Sequence, residues 1–161
     1  MNKVVYAPNV PTSKTGLSIF LAGSIEMGKA EDWQSRVINE LDAFEGYFCT
    51  IFNPRRPDWD DSWEQSIDNP KFREQVEWEL NHLKQADIIA LYLAPGTVSP
   101  ISLLEFGLYA KSGKLILCCP KGFERKGNVD IVAQRYLIPV FETFEPFIGE
   151  IKRNIIFHAH H

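Results

Sequence analysis

One carboxylate stands alone in the most apolar stretch of the chain. Glu105 is the only charged residue between Asp87 and Lys111, where the sequence reads IIALYLAPGTVSPISLLEFGLYA. A strand-like run and a loop rich in Pro, Gly and Ser precede it, which predicts a position near the start of a helix. Open α/β sheets bind ligands at the carboxyl ends of their strands, so we predict that Glu105 is the centre of an active site. An ionised carboxylate beside apolar side chains is a suitable nucleophile for an electrophilic sugar carbon.

The start of this helix can be placed in two ways. If Ser102 is the N-cap, Ser102-x-x-Glu105 is a capping box and Glu105 bonds an amide of its own helix. If Ser99 is the N-cap and Pro100 the first helical residue, Glu105 lies in the second turn and faces outward or into a cleft. Pro100 favours the second placement, and in both the helix dipole favours the ionised carboxylate.

Four predicted loops follow strands and could line a pocket with Glu105. Gly23 and Ser24 end the first strand and, with Ile25 and residues 26–29, could bring backbone amides close to an anion. Residues 94–99 and 120–128 follow two later strands. The remaining loop, 53–63, is long and polar, and irregular chain of this kind often carries function.

The loop 53–63 offers charged and aromatic candidates. Arg55 and Arg56 could pair with a phosphate or carboxylate, or could be solvated and balanced by nearby aspartates such as Asp58. Trp59 could stack on a base or could hold the loop to the body of the protein. Elsewhere, Asp87 stands at a helix-to-strand junction, which places it at the amino edge of the sheet, away from the ligand side.

Short apolar runs alternate with amphipathic segments along the whole chain, which predicts an α/β protein with a parallel sheet and helices on both faces. We predict a single domain over 1–161, with an extended arm at 1–16 and a tail or tag remnant at 157–161, including the terminal histidines. The predicted strands are 17–22, 48–52, 88–93, 114–119 and 137–141. The predicted helices are 31–44, 70–85, 100–112, 128–136 and 144–156.

Bulk composition narrows the classes of function. Charged residues make up 24% of the chain and the formal net charge is −4, whereas a nucleic-acid-binding surface is basic. No signal peptide is evident at the amino end, and APGTVSP interrupts the one long apolar stretch, so we expect neither secretion nor a membrane span. Three cysteines, two of them adjacent, predict buried thiols in a reducing, cytoplasmic compartment.

Several segments together resemble the nucleoside 2-deoxyribosyltransferase family. They are IFLAGSI, NPRRPDW, the pair Glu79 and Asp87, and SPISLLEFGLYAKSGK, in that order along residues 17–140. The GSI segment also resembles the related 2'-deoxynucleoside 5'-phosphate N-hydrolases. The resemblance implies a flavodoxin-like three-layer sandwich whose five-stranded parallel sheet has the order 2-1-3-4-5.

The resemblance also implies roles for individual residues. Glu105 would attack C1' of a nucleoside or nucleotide and release the base, and a second base or water would then resolve the glycosyl-enzyme. Asp87 would be a proton or base partner of the reaction. The further substrate-binding candidates are Phe20, Gly23, Ser24, Ile25, Asn53, Arg55, Asp58, Trp59, Glu79, Ser99 and Asn128.

The chain departs from the family pattern at two places. The transferases usually carry an acid six positions before the nucleophile, where this chain has Ser99, and a Tyr in the first strand, where it has Phe20. The acid that serves the base would then be Asp58, Asp60 or Glu79. The family resemblance further implies a homo-oligomer with shared active sites, to which Asn128 would contribute, and no cofactor or metal.

Two other functions fit the same fold. A 2'-deoxynucleoside 5'-phosphate N-hydrolase would use the same nucleophile with water as acceptor. A non-catalytic sensor would grip a nucleotide without turnover, a role that Ser99 and the arginine pair favour. A Rossmann or flavin protein is disfavoured because the glycine-rich dinucleotide fingerprint is missing.

Overall fold

A six-stranded parallel sheet forms the centre of the computed structural model, which describes residues 2–25 and 31–161. The strand order is β1-β3-β2-β4-β5-β6. The four middle strands consist almost entirely of buried residues, as expected when helices cover both faces. The strands are β1 (Lys3–Tyr6), β2 (Leu17–Gly23), β3 (Cys49–Asn53), β4 (Ile88–Tyr92), β5 (Leu115–Cys118) and β6 (Val140–Phe141).

The predicted count of five strands is wrong because part of the predicted arm is a strand. Lys3–Tyr6 pairs in parallel with β3, with Val5 opposite Phe52. The pattern KVVY is too short to separate from an extended arm, and the Pro, Ser and Thr residues that follow it dominate the composition. Without β1, the order of the other five strands is the predicted one.

Five helices flank the sheet, and the two core clusters separate them into layers. The helices are α1 (Trp33–Asp42), α2 (Pro70–Gln85), α3 (Pro100–Tyr109), α4 (Lys126–Arg135) and α5 (Phe144–His160). Residues of α1 and α5 share one core with the sheet, and residues of α2, α3 and α4 share the other. The α/β architecture is therefore confirmed. Helix α5 continues through most of the segment predicted as a tail.

Local sequence signals explain where α2 begins. The side chain of Asn69 accepts hydrogen bonds from the amides of Lys71 and Phe72, and Pro70 is the first helical residue. This is the predicted N-cap arrangement. In the part of the chain that the structure describes, no helix is long and apolar enough to cross a membrane.

A buried histidine on α2 makes the stability of the fold depend on pH. His82 is stacked on Trp78 at 4.2 Å and contacts Phe52 edge-on at 4.8 Å. Its Nδ1 lies 2.7 Å from the Trp78 carbonyl, so the neutral ring donates its proton there. Burial lowers the pKa of His82 below its ordinary value, because a charged ring is poorly solvated among these aromatic groups.

We therefore expect His82→Gln to flatten the acid side of the stability profile. The unfolded chain binds a proton at His82 more readily than the folded protein does, so stability falls as pH drops through about 6.5. Chemical denaturation between pH 8 and pH 5 measures the slope (about 1.4 kcal/mol per pH unit at most from one group). His158→Gln, at an exposed position, is the matched control. An equal slope of unfolding free energy against pH in wild type and His82→Gln would contradict the prediction.

Candidate active site

Two carboxyl groups from different helices meet on one face of the sheet. Glu105 is 8% exposed, in the second turn of α3. Burial, together with the smaller effect of the charge of Glu79 on α2, raises its pKa to about 8. Burial likewise raises the pKa of Glu79 to about 7. Because the two acids interact, they titrate as a pair that retains a proton near neutral pH.

The start of α3 determines which face Glu105 takes. Pro100 is the first helical residue and Ser99 precedes it, so Ser102 lies inside the helix and the capping-box alternative is wrong. Ser102, Glu105 and Phe106 are the buried residues of α3. The carboxyl group therefore points toward the sheet, close to the helix end whose dipole favours negative charge.

Gln75 holds Glu79 in place from the same face of α2. Its Nε2 donates to the Glu79 carboxylate at 3.2 Å and to the Pro54 carbonyl at 2.9 Å. The first bond partly offsets the effect of burial on the pKa of Glu79. Gln75 was not predicted from the sequence, although its position four residues before Glu79 on a helix places the two side chains together.

Three buried hydroxyl groups form a cluster beside the start of α3. Ser24 Oγ lies 2.5 Å from Ser99 Oγ and 3.1 Å from Thr97 Oγ1, and the last two are 2.8 Å apart. The amide of Ala94 donates to Ser24 Oγ, which ties β2 to the loop after β4. Thr97 lies in the predicted pocket loop 94–99 but was not named as a candidate residue.

Ser99 adopts a left-handed conformation with φ 47°. This region is costly for a residue with a side chain, so the surrounding contacts must hold it there. Its hydroxyl joins the cluster instead of capping α3. The position at which the sequence resemblance implies an acid is thus occupied by a neutral hydroxyl group bonded to Ser24.

Gly23 allows β2 and β4 to approach closely at their carboxyl ends. Its φ is 141°, and a Cβ there would clash with the Tyr92 carbonyl and touch the ring of Trp33. The Trp33 Nε1 donates to the carbonyl of Ser24 at 3.2 Å. These contacts fix the strand-to-loop turn beside the hydroxyl cluster. The predicted loop residues 26–29 lie outside the described residues, and Ile25 is partly buried at their border.

The loop after β3 is a polar network. Asn53 is 1% exposed, and its side-chain oxygen accepts a hydrogen bond from the backbone N–H of Arg55 at 3.1 Å. Arg55 Nε lies 3.0 Å from Gln34 Oε1 and 3.2 Å from Asp32. The guanidinium of Arg56 is buried against Asp58 and Glu74, at 2.7 and 2.6 Å. Arg56 therefore pairs with carboxylates of its own chain.

The remaining predicted residues show no contact with the carboxyl pair in the described part of the chain. Asp58 is tied to Arg56, and Trp59 packs edge-on against Trp63 at 5.0 Å, within the same loop. Phe20 is fully buried beside Trp78, so its predicted contact with a sugar has no support. Asn128 is exposed on the first turn of α4.

Asp87 belongs to the opposite edge of the sheet. Its carboxylate accepts the backbone N–H and the hydroxyl of Ser18, both at 2.8 Å. Ser18 lies near the start of β2, while Ser24 follows the end of that strand. The structure therefore does not bring Asp87 to Glu105, and its position gives it a structural role in joining α2 to β2.

A cleft of the structure lies apart from the carboxyl pair. It measures about 530 Å³ and lies on the α1 and α5 side, lined in part by Tyr92 and Glu142. Arg36 rests 3.9 Å above the ring of Phe144 and pairs with Glu31, so residues of the chain already engage one another there. Among residues 2–25 and 31–161, no group of His, Cys, Asp and Glu side chains is arranged to hold a metal ion.

Fold and site together define an α/β protein with paired carboxyl groups above a parallel sheet. A family model described as "Nucleoside 2-deoxyribosyltransferase like" matches residues 16–123, and the chain belongs to that family. No curated protein matches it. A crystal structure of a conserved protein from Enterococcus faecalis V583 is similar in fold, with a TM-score of 0.61 and 12% identity, covering 87% of this chain and 99% of that one.

The raised pKa values have a measurable consequence for stability. Below about pH 4.5 both acids are protonated in the folded and unfolded states, and their burial then costs little. As pH rises toward 8 the unfolded chain loses these protons first, so stability falls. We expect Glu105→Gln to be more stable than wild type at pH 8 and nearly equal at pH 4.

Thermal unfolding at the two pH values measures this difference. Glu77→Gln on the exposed side of α2 is the matched control and should change little. If Glu105→Gln were less stable than wild type at pH 8, ionisation of the carboxyl pair would not destabilise the folded protein, and the prediction would be wrong.

Proposed function

We propose that this protein cleaves the N-glycosidic bond of a deoxynucleoside or deoxynucleotide, with Glu105 as nucleophile. The observation that carries the proposal is the interacting pair of buried Glu105 and half-buried Glu79, which shares a proton near neutral pH. Cleavage of a glycosidic bond through a covalent intermediate needs one ionised and one protonated carboxyl group. Family membership supports the substrate class.

The reaction uses the form in which Glu79 carries the proton. A Glu105 oxygen bonds to C1', and the C1'–N bond breaks with its electron pair passing to the base. Glu79 gives its proton to that base nitrogen. In the second half, Glu79 takes a proton from an incoming base or water, which bonds to C1' and displaces the Glu105 carboxylate.

The pKa of Glu105, about 8, is higher than that of Glu79, about 7, so without substrate the shared proton favours Glu105. The reaction therefore depends on the bound base: a base nitrogen that approaches Glu79 as a proton acceptor stabilises the protonated form of Glu79. The role of the acid missing at Ser99 thus passes to Glu79, whose position is fixed by Gln75.

The nucleophile can be tested directly. Glu105→Gln should lower turnover of a deoxynucleoside and deoxynucleotide panel by at least about a thousandfold, as expected for loss of a nucleophile. Chromatographic detection of released base measures turnover, and the exposed Glu77→Gln is the control.

The products assign the acceptor. Exchange of one base for another identifies a transferase, whereas free deoxyribose or its 5'-phosphate identifies a hydrolase. Tight nucleotide binding without turnover, unchanged in Glu105→Gln, would favour the sensor function and defeat the enzymatic proposal.

We also propose that two copies of the chain associate through α3. The usual polarity of a surface helix is reversed in α3: Ser102 and Glu105 are buried, and the outward face is apolar. Apolar patches of this kind mark interaction surfaces. The exposed apolar side chains of α3 are Ile101, Leu104 and Leu108, with Val98 just before the helix, and Ile131 and Leu137 are also more than half exposed, on α4 and just after it.

The patch reaches the neighbourhood of the predicted shared-site residue. Asn128 lies three residues before Ile131 on α4, so both project from the same side of that helix. A second copy packed on α3 would therefore bring its Asn128 near a helix that carries Glu105, in line with the proposed shared site.

Leu104→Lys should convert the dimer to a folded monomer, because a charge in the middle of an apolar interface loses its hydration without a partner. Sedimentation or light scattering measures the mass. Val10→Lys, at an exposed site in the amino-terminal segment, should leave the dimer intact. A monomeric wild type at the highest soluble concentration would contradict the proposal.

A further inference from the structure

Unpartnered buried polar atoms are concentrated at one place in the described part of the chain. Five of the six such side-chain atoms belong to the loop after β3 or to residues that contact it. Native proteins leave few such atoms without partners, and those that occur call for an explanation. The five atoms are Gln34 Nε2, Asn53 Nδ2, Arg55 Nη2, Arg56 Nη1 and Gln75 Oε1.

The hydrogen bonds around these atoms determine whether each one is a donor or an acceptor. Gln34 accepts from Arg55 Nε and Asn53 accepts from the Arg55 amide, so their other amide atoms must be donors. Gln75 donates to the Pro54 carbonyl, so its remaining atom must be an acceptor. The group therefore offers four N–H donors and one acceptor. The Gln34, Asn53 and Gln75 side chains are 0%, 1% and 5% exposed.

The same bonds connect this group to the proton-donating side of the carboxyl pair through Gln75, while Gln34 on α1 joins it through Arg55 from the other face of the sheet. Gln75 bridges Pro54, in the loop, to Glu79. In the proposed reaction Glu79 delivers its proton to the departing base. The base must then lie on the Glu79 side of C1', toward Gln75 and the loop that follows β3.

Electrostatics favour a neutral partner over a phosphate. Arg55 is paired with Asp32, and Arg56 with Asp58 and Glu74, so the arginine charges are already balanced. A buried anion would gain little from such neutralised cations and would lose its hydration. Carbonyl oxygens of a neutral base accept hydrogen bonds from these N–H groups without that cost. An exocyclic amino group is itself a donor, so it would leave the N–H groups of the protein without an acceptor.

We infer that Gln34, Asn53 and Arg55 form a subsite for the nucleobase and select bases that present oxo groups over bases that present amino groups. Arg55, whose side chain is 26% exposed, is the part of the subsite that reaches the surface and moves aside for the ligand. This inference rests on the proposed function, since the position of Glu79 identifies the base side.

Matched pairs of compounds test the preference. Deoxyuridine and deoxycytidine differ in an oxo and an amino group on one ring, as do deoxyinosine and deoxyadenosine. Wild type should favour the oxo member of each pair by about tenfold to a hundredfold in kcat/KM, the range expected for hydrogen-bond discrimination between bases. Calorimetry with uracil and cytosine measures the same preference by binding alone.

Two isosteric variants test the residues. Gln34→Glu and Asn53→Asp keep the oxygens that accept from Arg55 and turn the free donors into acceptors. Each should reduce the preference for the oxo base at least about tenfold or reverse it. Asn39→Asp, an exposed position on the same helix as Gln34, adds the same charge and should leave the preference unchanged.

The outcomes separate this inference from the proposed function. Turnover that depends on Glu105 but shows no oxo preference, or a preference unchanged in both variants, overturns the subsite and leaves the enzyme. Binding of uracil over cytosine that both variants weaken, without any turnover by wild type, supports the subsite and overturns the enzyme. If wild type neither turns over nor binds any of these compounds, both fail. Should neither variant fold, the wild-type preference decides.

Discussion

The burial of two carboxyl groups beside each other is the interaction on which the rest of the site depends. Glu79 and Glu105 each have a raised pKa because burial disfavours their charged forms, and their mutual repulsion adds to the cost for Glu105. The fold holds them together by packing α2 and α3 on the same face of the sheet. Neither helix would place its acid there without the sheet on which both helices pack and the core that they share with it.

Several costly features surround this pair, and each one restricts where a neighbouring group can lie. Ser99 is held in a left-handed conformation by a hydroxyl cluster that includes Ser24, and Gly23 removes the Cβ that would separate β2 from β4. Helix α3 buries a carboxyl group and exposes leucine and isoleucine. A helix of this kind gains little stability from its own amphipathic pattern. Its exposed apolar face and its buried acid both cost stability, and both belong to the proposed functional surfaces.

The sequence predicted the elements that depend on local pattern. The isolated Glu105, the Asn69-Pro70 helix start and the continuous apolar strands are signals carried by neighbours in the chain, and the structure contains the elements that they predicted. The edge strand β1 escaped because four residues carry too little pattern. The contact between Glu79 and Glu105 could not be read from the sequence, since it arises from the packing of two helices separated by a strand.

Recognition and proton transfer are physically joined in this arrangement. The amide nitrogen of Gln75 donates to both Pro54 and Glu79, while its buried oxygen has no hydrogen-bond partner, like donors of Asn53 and Arg55 beside Pro54. The bond from Gln75 favours the charged form of Glu79, which opposes the proton that the departing base requires. A base that pairs with these buried atoms and draws on the Glu79 proton reverses that bias, because it stabilises the protonated acid directly. The carboxyl pair would then be arranged for reaction only when a base of the right hydrogen-bonding pattern is in place. Base specificity would therefore depend on the position of the shared proton as well as on the contacts that hold the base.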